Sequence, residues 1–333
     1  MLQAPIDSPF GHSSTALEVV EGIDLSGRTA IVTGASSGLG VETARALASA
    51  GATVVMPVRN RAKGEAVADD IRGSLDNAHV EVADMDLSIP SSVRSFAESF
   101  LASGRPLHIL INNAGIMACP LHRTPEGWES QFATNHFGHF LLTTLLLPAL
   151  ERGAPSRVVN LSSTGHWITG MDFDDPHYVT RDYDKWNAYG QAKTANVLFS
   201  LGFNSRYQEK GVTANAVHPG GIMTGLQKDL TQEEMNALGW FDEDGNLRDG
   251  FKTVAGGAST STWAATTPLL EGIGGLYLED CNVAGMASPD LPYRGVQPHA
   301  IDPEATERLW ELSEAMAAQV TEDSATTPNA ASS

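Results

Sequence analysis

An apolar run, a glycine-rich turn and a helical pattern follow one another near the start of this chain, and nothing else in it narrows the fold so far. Arg28-Thr29-Ala30-Ile31-Val32-Thr33 reads as a buried strand, Gly34-Ala35-Ser36-Ser37-Gly38-Leu39-Gly40 follows at once, and Val41 to Ala50 reads as a helix. A strand turning through glycines into a helix opens a dinucleotide-binding unit. The glycines let the backbone approach a pyrophosphate at the positive end of the helix. Alone, a glycine-rich run is weak testimony; here both flanking elements are right.

The next strand, Ala52 to Val58, selects between dinucleotides. Pro57 has no N–H to give a ladder and must sit near the strand's end. An acid closing this strand would bind the ribose hydroxyls of NAD and repel a 2′-phosphate. Val58 stands there instead, Arg59 follows, Arg61 and Lys63 are close, and Ser37 on the glycine turn is neutral. These residues favour NADP(H) over NAD(H), the alternative being that Arg59 only faces solvent. Arg61 to Arg72 then reads as a helix and His79 to Ala83 as a strand, ending in Asp84-Met85-Asp86-Leu87. An acid in that turn can accept from an adenine amino group, and Asp86 is preferred to Asp84. After a helix from about Ser91, the strand Leu107 to Ile111 runs into Asn112-Asn113-Ala114-Gly115, where small residues leave room for a cofactor.

Pro125 to Glu151 reads as one long helix. Its His136 and His139 sit three apart, but no Cys, Asp or Glu completes a ligand set, so no metal is expected. Asn135 is either a site residue or a satisfied core amide. The strand Arg157 to Leu161 ends in Ser162-Ser163, which alternation sends to opposite faces, so only one of them points towards a ligand. An acidic, aromatic loop follows, in which Asp172, Asp174 and Asp175 read as solvated. The helix opened by Asn187 to Asn196 runs to about Lys210 and puts Tyr189 and Lys193 four apart on one face. A free tyrosine titrates near ~10, and a fixed cation favours the phenolate, so Tyr189 becomes a candidate acid or base for an alcohol or carbonyl oxygen. Val212 to His218 is a strand leading to Pro219-Gly220-Gly221. A mobile stretch over 221–250 comes next, then a helix from Phe251 to Ala265, a last strand at Gly275 to Leu278, and a helix from about Pro303 to Ala318.

The whole chain sets outer limits. Its 333 residues, 42% of them hydrophobic, suit one large α/β domain or two small ones. A formal charge of −19 argues against nucleic acid and anionic membrane as partners. Only Cys119 and Cys281 are present, which argues for a reducing, cytoplasmic setting. Phe140 to Leu150 is the longest apolar run and falls short of the ~18 residues of a membrane span. The start of the chain carries neither a secretory nor a transit pattern.

Taken in order, these motifs resemble the short-chain dehydrogenase/reductase superfamily over roughly residues 26 to 285. They are Thr33 to Gly40, Asn112-Asn113-Ala114-Gly115, Asn135, Ser163, Tyr189 with Lys193, and Pro219-Gly220. Val158 to Ser163, Ala192 to Asn196 and His218-Pro219-Gly220 look most like the retinol dehydrogenase and WW-domain oxidoreductase branch. The resemblance implies an α/β fold: a single doubly wound Rossmann-type domain, with a parallel sheet of about seven strands and helices on both faces. That domain would span 26–285 and include a substrate loop at 221–250. A leader at 1–25 either wraps it or is partly disordered, an arm and helix occupy 286–320, and 321–333 is a disordered tail. The resemblance makes Tyr189 the acid/base and has Lys193 hold the nicotinamide ribose and depress the Tyr189 pKa. It has Ser163 (rather than Ser162) stabilise the substrate oxygen and Asn135 place a water leading to Lys193. It puts Gly34, Ser36, Ser37, Gly38, Leu39 and Gly40 around the cofactor, with Asp86, Leu87, Asn113, Ala114, Gly115, Pro219, Gly220 and Thr224, and Arg59 on the 2′-phosphate. The activity implied is NADP(H)-dependent hydride transfer between nicotinamide and a carbonyl or alcohol. Trp167, Phe173, Tyr178, Trp186, Met223, Leu226, Leu238 and Trp240 would favour a bulky apolar ketone, aldehyde or secondary alcohol. The alternatives are an NAD-dependent enzyme on the same scaffold and a non-catalytic NADPH-binding sensor. The helices at 125–151 and 187–210 would form a homo-oligomer contact unless the C-terminal arm covers it.

Overall fold

A computed structural model describes residues 3–326, with side chains as far as Thr321. Its first half alternates β1 (Thr29–Val32), α1 (Leu39–Ser49), β2 (Thr53–Val58), α2 (Arg61–Ser74), β3 (His79–Asp84), α3 (Pro90–Ala102) and β4 (Ile109–Asn112). The expected long helix is shorter and broken. It consists of α4 (Ser130–Phe132), a π-helical stretch (Ala133–Phe137), α5 (Gly138–Leu145) and α6 (Leu147–Arg152). It starts late because Arg123 bridges Glu129 across a turn containing Gly127 at φ 88°, and Glu129 then caps the helix through the N–H groups of Gln131 and Phe132.

The second half contains β5 (Ser156–Leu161), α7 (Lys185–Tyr207), β6 (Val212–His218), β7 (Gly221–Ile222), α8 (Gln232–Ala237), β8 (Phe251–Lys252), α9 (Val254–Gly257), α10 (Ser259–Thr266), β9 (Tyr277–Glu279), β10 (Asn282–Val283) and α11 (Pro303–Thr326). The helix expected from Phe251 instead begins as β8, which pairs with β7, and Thr253 caps the helical part.

The main sheet has the order β10-β9-β6-β5-β4-β1-β2-β3. Every pairing is parallel except β10 with β9, so the expected sheet of about seven strands gains one antiparallel edge strand. The hairpin that adds it turns at Asp280 and Cys281, at φ 47° and 54°. Such left-handed pairs normally advertise themselves as Asn-Gly or Asp-Gly, and this one does not. Pro57 is tolerated because the β1–β2 register ends at Val55, leaving the proline only a β3 neighbour. Two apolar cores sandwich the sheet: one under α1, α2 and α10, the other under α3, α5, α7 and α11.

The described part of the leader wraps the domain. Gln3 donates to the carbonyls of Tyr277 and Ala284 at 2.7 and 2.8 Å, and Ile6 exchanges two hydrogen bonds with the Asn282 side chain. It thereby covers a sheet edge that would otherwise present unpaired backbone groups. At the other end α11 runs eight residues past Ala318 to Thr326; the rest of the expected tail, 327–333, lies outside the described residues.

Candidate active site

The chain order reverses at β1 and β4, and open α/β sheets bind ligands at such a point, beyond the strands' carboxyl ends. Here the turn after β1 and the turn after β4 are stitched together. Asn113 and Ala114 donate their backbone N–H groups to Thr33 Oγ1 at 2.9 and 3.0 Å, and Asn113 Nδ2 donates to the Thr33 carbonyl at 2.8 Å. Only glycine satisfies this crossing. Gly34 has φ 67°, and a Cβ there would stand 2.8 Å from Ala114 Cα; a Cβ on Gly40 would stand 2.6 Å from the Gly34 carbonyl oxygen.

Above these turns opens a cleft of about 960 Å³. Gly34, Ser36, Ser37, Gly38 and Leu39 line it from the first turn, and Asn113, Ala114 and Gly115 from the second. Arg59, Asp86 and Leu87 line one end, and Tyr189, Lys193, Pro219, Gly220 and Thr224 the other. Gly40 lies beneath the turn, and Asn135 behind Gly115, so neither lines the cleft. Lys63, expected near Arg59, lines it too, and Asn60, Ile116 and Lys228 line it without having been anticipated.

The charges of the lining run against those of the whole chain. Arg59, Lys63, Lys193 and Lys228 face the cleft, with Asp86 the one acid among the lining residues. Arg61 is engaged elsewhere, 2.8 Å from Asp84 and 3.5 Å from Glu65. Arg59 has no ion pair or hydrogen bond among the described residues. Asp86 keeps one oxygen on the Ser88 N–H and hydroxyl, at 2.9 and 2.7 Å. A glycine cradle, free cations at the β2 end and an acid in the β3 turn together fit a nicotinamide dinucleotide.

At the foot of the cleft three polar side chains converge. Ser163 accepts the Gly165 N–H at 3.0 Å, while Ser162 donates to the Lys193 carbonyl at 2.8 Å on the opposite face. The Tyr189 ring packs so closely that a Cβ on Gly165 would stand 2.7 Å from it. Lys193 donates to the Leu161 carbonyl at 2.9 Å, with its Nζ 5.6 Å from the Tyr189 ring centroid. The expected depression of the tyrosine by this lysine is overridden. Burial pushes the Tyr189 phenol up to about 12, with Ser163 pulling it back only in part, and burial holds Lys193 down to about 8. Asn135 uses both ends of its side chain on Ile116, accepting its N–H at 2.8 Å and donating to its carbonyl at 2.9 Å. A Cβ on Gly115 would stand 3.2 Å from Asn135 Oδ1 and 3.8 Å from Lys193 Nζ, so both side chains close on Gly115.

A sequence model of the short chain dehydrogenase family matches residues 28–235. The chain belongs to that family. It is 46% identical over 294 residues to a Streptomyces lividans protein named "Probable oxidoreductase", covering 87% of this chain and 97% of that one. It is 42% identical over 292 residues to retinol dehydrogenase 12 of Homo sapiens, covering 87% and 86%. A solved structure from Mycobacterium paratuberculosis shares 36% identity and a TM-score of 0.68, over 91% of this chain and 97% of that one. This short-chain dehydrogenase is an oxidoreductase of the retinol dehydrogenase-like branch.

Next to Ser163, Tyr189 and Lys193 of this dehydrogenase, the cleft turns apolar. Met117, Tyr189 and Leu230 form a small cluster with Trp186, Leu226, Met235 and Trp240 against it. Of the aromatics and aliphatics expected here, Trp186, Leu226, Leu238 and Trp240 do line the cleft. Trp167, Phe173, Tyr178 and Met223 do not. Trp167 donates to the Gly295 carbonyl, Phe173 packs on the α11 side under Arg308, and Tyr178 lies under Arg181. Ile168, Phe251 and Tyr293 take part instead, Tyr293 coming from the C-terminal arm. Among the described residues no cluster of ligating side chains could hold a metal, and none of the helices is long and apolar enough to cross a membrane. His136 and His139 are core hydrogen-bonding groups, on Ser313 and on Thr33 and Asn135.

Proposed function

We propose that the chain is an NADP(H)-dependent oxidoreductase interconverting a bulky apolar carbonyl compound and its alcohol. The observation that carries this reading is Ser163, Tyr189 and Lys193 meeting where the glycine-floored, cationic arm of the cleft joins its apolar arm. Bound in the cationic arm, the nicotinamide supplies or receives the hydride at the substrate carbon. Gly34, Ser36, Gly38 and Leu39 hold the pyrophosphate, Asp86 meets the adenine, and Arg59 with Lys63 pairs with the 2′-phosphate. Val58 favours NADP(H) because no carboxylate stands where NAD would need one.

Tyr189 gives its proton to the carbonyl oxygen in reduction and takes the alcohol's proton in oxidation. With its pKa near 12 the phenol keeps its proton at neutral pH, which suits reduction; oxidation gains as the pH rises. Ser163 donates to the oxygen on which negative charge develops. Lys193 supplies a positive charge at the ribose side, and Asn135 holds the Ile116 backbone beside it. Met117, Trp186, Leu226, Leu238 and Trp240 exclude water and receive the apolar body of the substrate.

The α5 and α7 faces where self-association was expected are covered by α11 of the same chain. Trp310 packs 5.2 Å from Phe140 and 6.3 Å from Phe199, ring centre to ring centre. We therefore place the contact of a homo-oligomer, as a proposal, on a surface that α11 leaves free. Cys119 and Cys281 are both buried and unpaired, in keeping with a cytoplasmic, reducing setting.

The deciding experiment follows nicotinamide oxidation by the purified protein across small and bulky ketones and aldehydes, with NADPH and NADH in parallel. Turnover with NADPH on the bulky members is expected. Turnover with NADH alone would keep the chemistry and remove Arg59 from the argument, and dinucleotide binding without any turnover would favour a sensor.

A further inference from the structure

One buried, hydrogen-bonded side chain beside the catalytic set has no part in the mechanism so far. His139 on α5 is 1% exposed. Its Nδ1 lies 2.9 Å from the Asn135 backbone carbonyl oxygen, and its Nε2 lies 2.9 Å from Thr33 Oγ1. A carbonyl can only accept, so Nδ1 carries the ring proton and Nε2 is bare. Nε2 therefore accepts from the Thr33 hydroxyl, whose other acceptor, the Ile111 carbonyl, is farther away at 3.4 Å. With its proton so committed, the Thr33 oxygen accepts the N–H groups of Asn113 and Ala114. Each bond in the series has one allowed direction: Asn113 and Ala114 donate to Thr33, Thr33 to His139, and His139 to Asn135.

The turn between Asn113 and Ile116 is thus held twice, at its start by Thr33 and at its end by the Asn135 side chain. His139 is the group that joins the two holders. Gly115, between them, faces Lys193 Nζ. We propose that His139 is a positioning residue, which keeps the cofactor floor at Asn113–Ala114 and the Asn135–Lys193 end of the catalytic set in one register. The inference rests on the oxidoreductase reading above. Burial, with the nearby Lys193 cation adding to it, keeps the ring neutral with its pKa lowered to about 4. A second ring proton would face the Thr33 hydroxyl proton and break the series.

Two conservative variants divide its roles. His139→Asn keeps a donor close to the Nδ1 position and loses the acceptor at Nε2. His139→Gln keeps an acceptor close to Nε2 and loses the donor to Asn135. NADPH and NADH are titrated by fluorescence into both variants and the wild type, kcat is measured on the best carbonyl found, and all three are melted. His139→Asn is expected to weaken dinucleotide binding about tenfold with little change in kcat, as one buried acceptor is lost. His139→Gln is expected to keep its dinucleotide affinity and lose about tenfold in kcat. A packing residue would lower the melting temperature of both variants while leaving Kd and kcat of the folded protein alone, and that result overturns the proposal, as do equal shifts in both variants. If the wild type binds dinucleotide but turns over no carbonyl, only the oxidoreductase reading fails, and the contrast in Kd between the variants still decides. If it binds neither dinucleotide, both fall together. Should neither variant fold, nitrogen NMR of the wild-type histidines takes their place. An Nδ1–H tautomer whose shifts move when NADPH is added is expected; an Nε2–H tautomer, or no movement, overturns the proposal.

Discussion

On the dinucleotide side of the cleft the wall is backbone: two turns cross so closely that Gly34 and Gly40 have no room for a Cβ, and Thr33 and Asn113 bond the turns together. On the substrate side the wall is side chains carried by segments with few anchors. β7 and β8 share only two residue pairs; Lys252 anchors β8 to Asp280 at 2.7 Å, and Glu234 ties the excursion between the strands to Lys185. A wall of backbone tolerates almost no substitution and recognises a constant ligand. A wall of loop side chains can be altered residue by residue without touching the sheet, which is how one scaffold admits many substrates.

Tyr189 stands where the two walls meet, and its loss gives the largest separation between them. Tyr189→Phe keeps the ring that packs on Gly165 and removes the proton donor. Turnover should fall about 10²–10⁴-fold while NADPH affinity stays within error. Steady-state kinetics with a parallel binding titration checks this, and a fully active variant would end the proposed mechanism.

Acid should dismantle the sheet and the helices packed on it. His136, His139 and His166 are buried and neutral, with pKa values lowered by burial to about 3, 4 and 4. The unfolded chain takes up protons at these histidines below pH ~6.5, whereas the folded chain does not until near pH 4. Their contribution is therefore fully present above pH ~6.5 and is lost as the pH falls towards 4, at about 1.4 kcal/mol per group per pH unit. Urea melts at pH 7 and pH 5 would show it; equal midpoints would mean the rings are solvated.

Arg59 tests the dinucleotide wall more narrowly. Arg59→Ala should weaken NADPH about 10- to 100-fold, the loss of a charge-assisted phosphate contact, and leave NADH unchanged. Equal losses for both dinucleotides would mean that Arg59 supports the fold or the pyrophosphate rather than the 2′-phosphate.

The same contrast explains what could be read from the sequence. The dinucleotide wall is written in local signals, because a left-handed or crowded position needs glycine, and Gly34, Gly38 and Gly40 announce themselves. Tyr189 and Lys193 are equally local, fixed by one helical turn. Other features depend on contacts between distant residues. The π-helical stretch at Asn135 has no periodicity of its own, and β10 turns on Asp280-Cys281, a pair without a turn signature. Three of the five expected pocket aromatics, Trp167, Phe173 and Tyr178, pack elsewhere, because an aromatic residue in a loop fits a core as readily as a cleft. Tyr293 escaped notice because its arm lies beyond the last sheet strand in sequence and returns to the cleft only in space. Burial was the other blind spot: spacing puts Lys193 near Tyr189, but only the packed site shows that desolvation outweighs the cation.

The ion pair between Lys185 and Glu234 should give the smallest effect and says most about the substrate wall. Lys185 opens α7, four residues before Tyr189, and its partner sits on α8 of the excursion, which is also capped by Thr231. Both side chains are partly solvated, and an exposed pair of this kind contributes little to overall stability. Its effect is confined to where α8 rests. Glu234→Gln should therefore leave the melting temperature and dinucleotide affinity unchanged and raise the KM for bulky substrates by no more than about threefold. Raising the ionic strength should reproduce that rise in the wild type and add nothing in the variant, since salt screens the same contact. A large fall in kcat instead would mean that α8 helps to place Tyr189, and the two walls would then be less independent than their construction suggests.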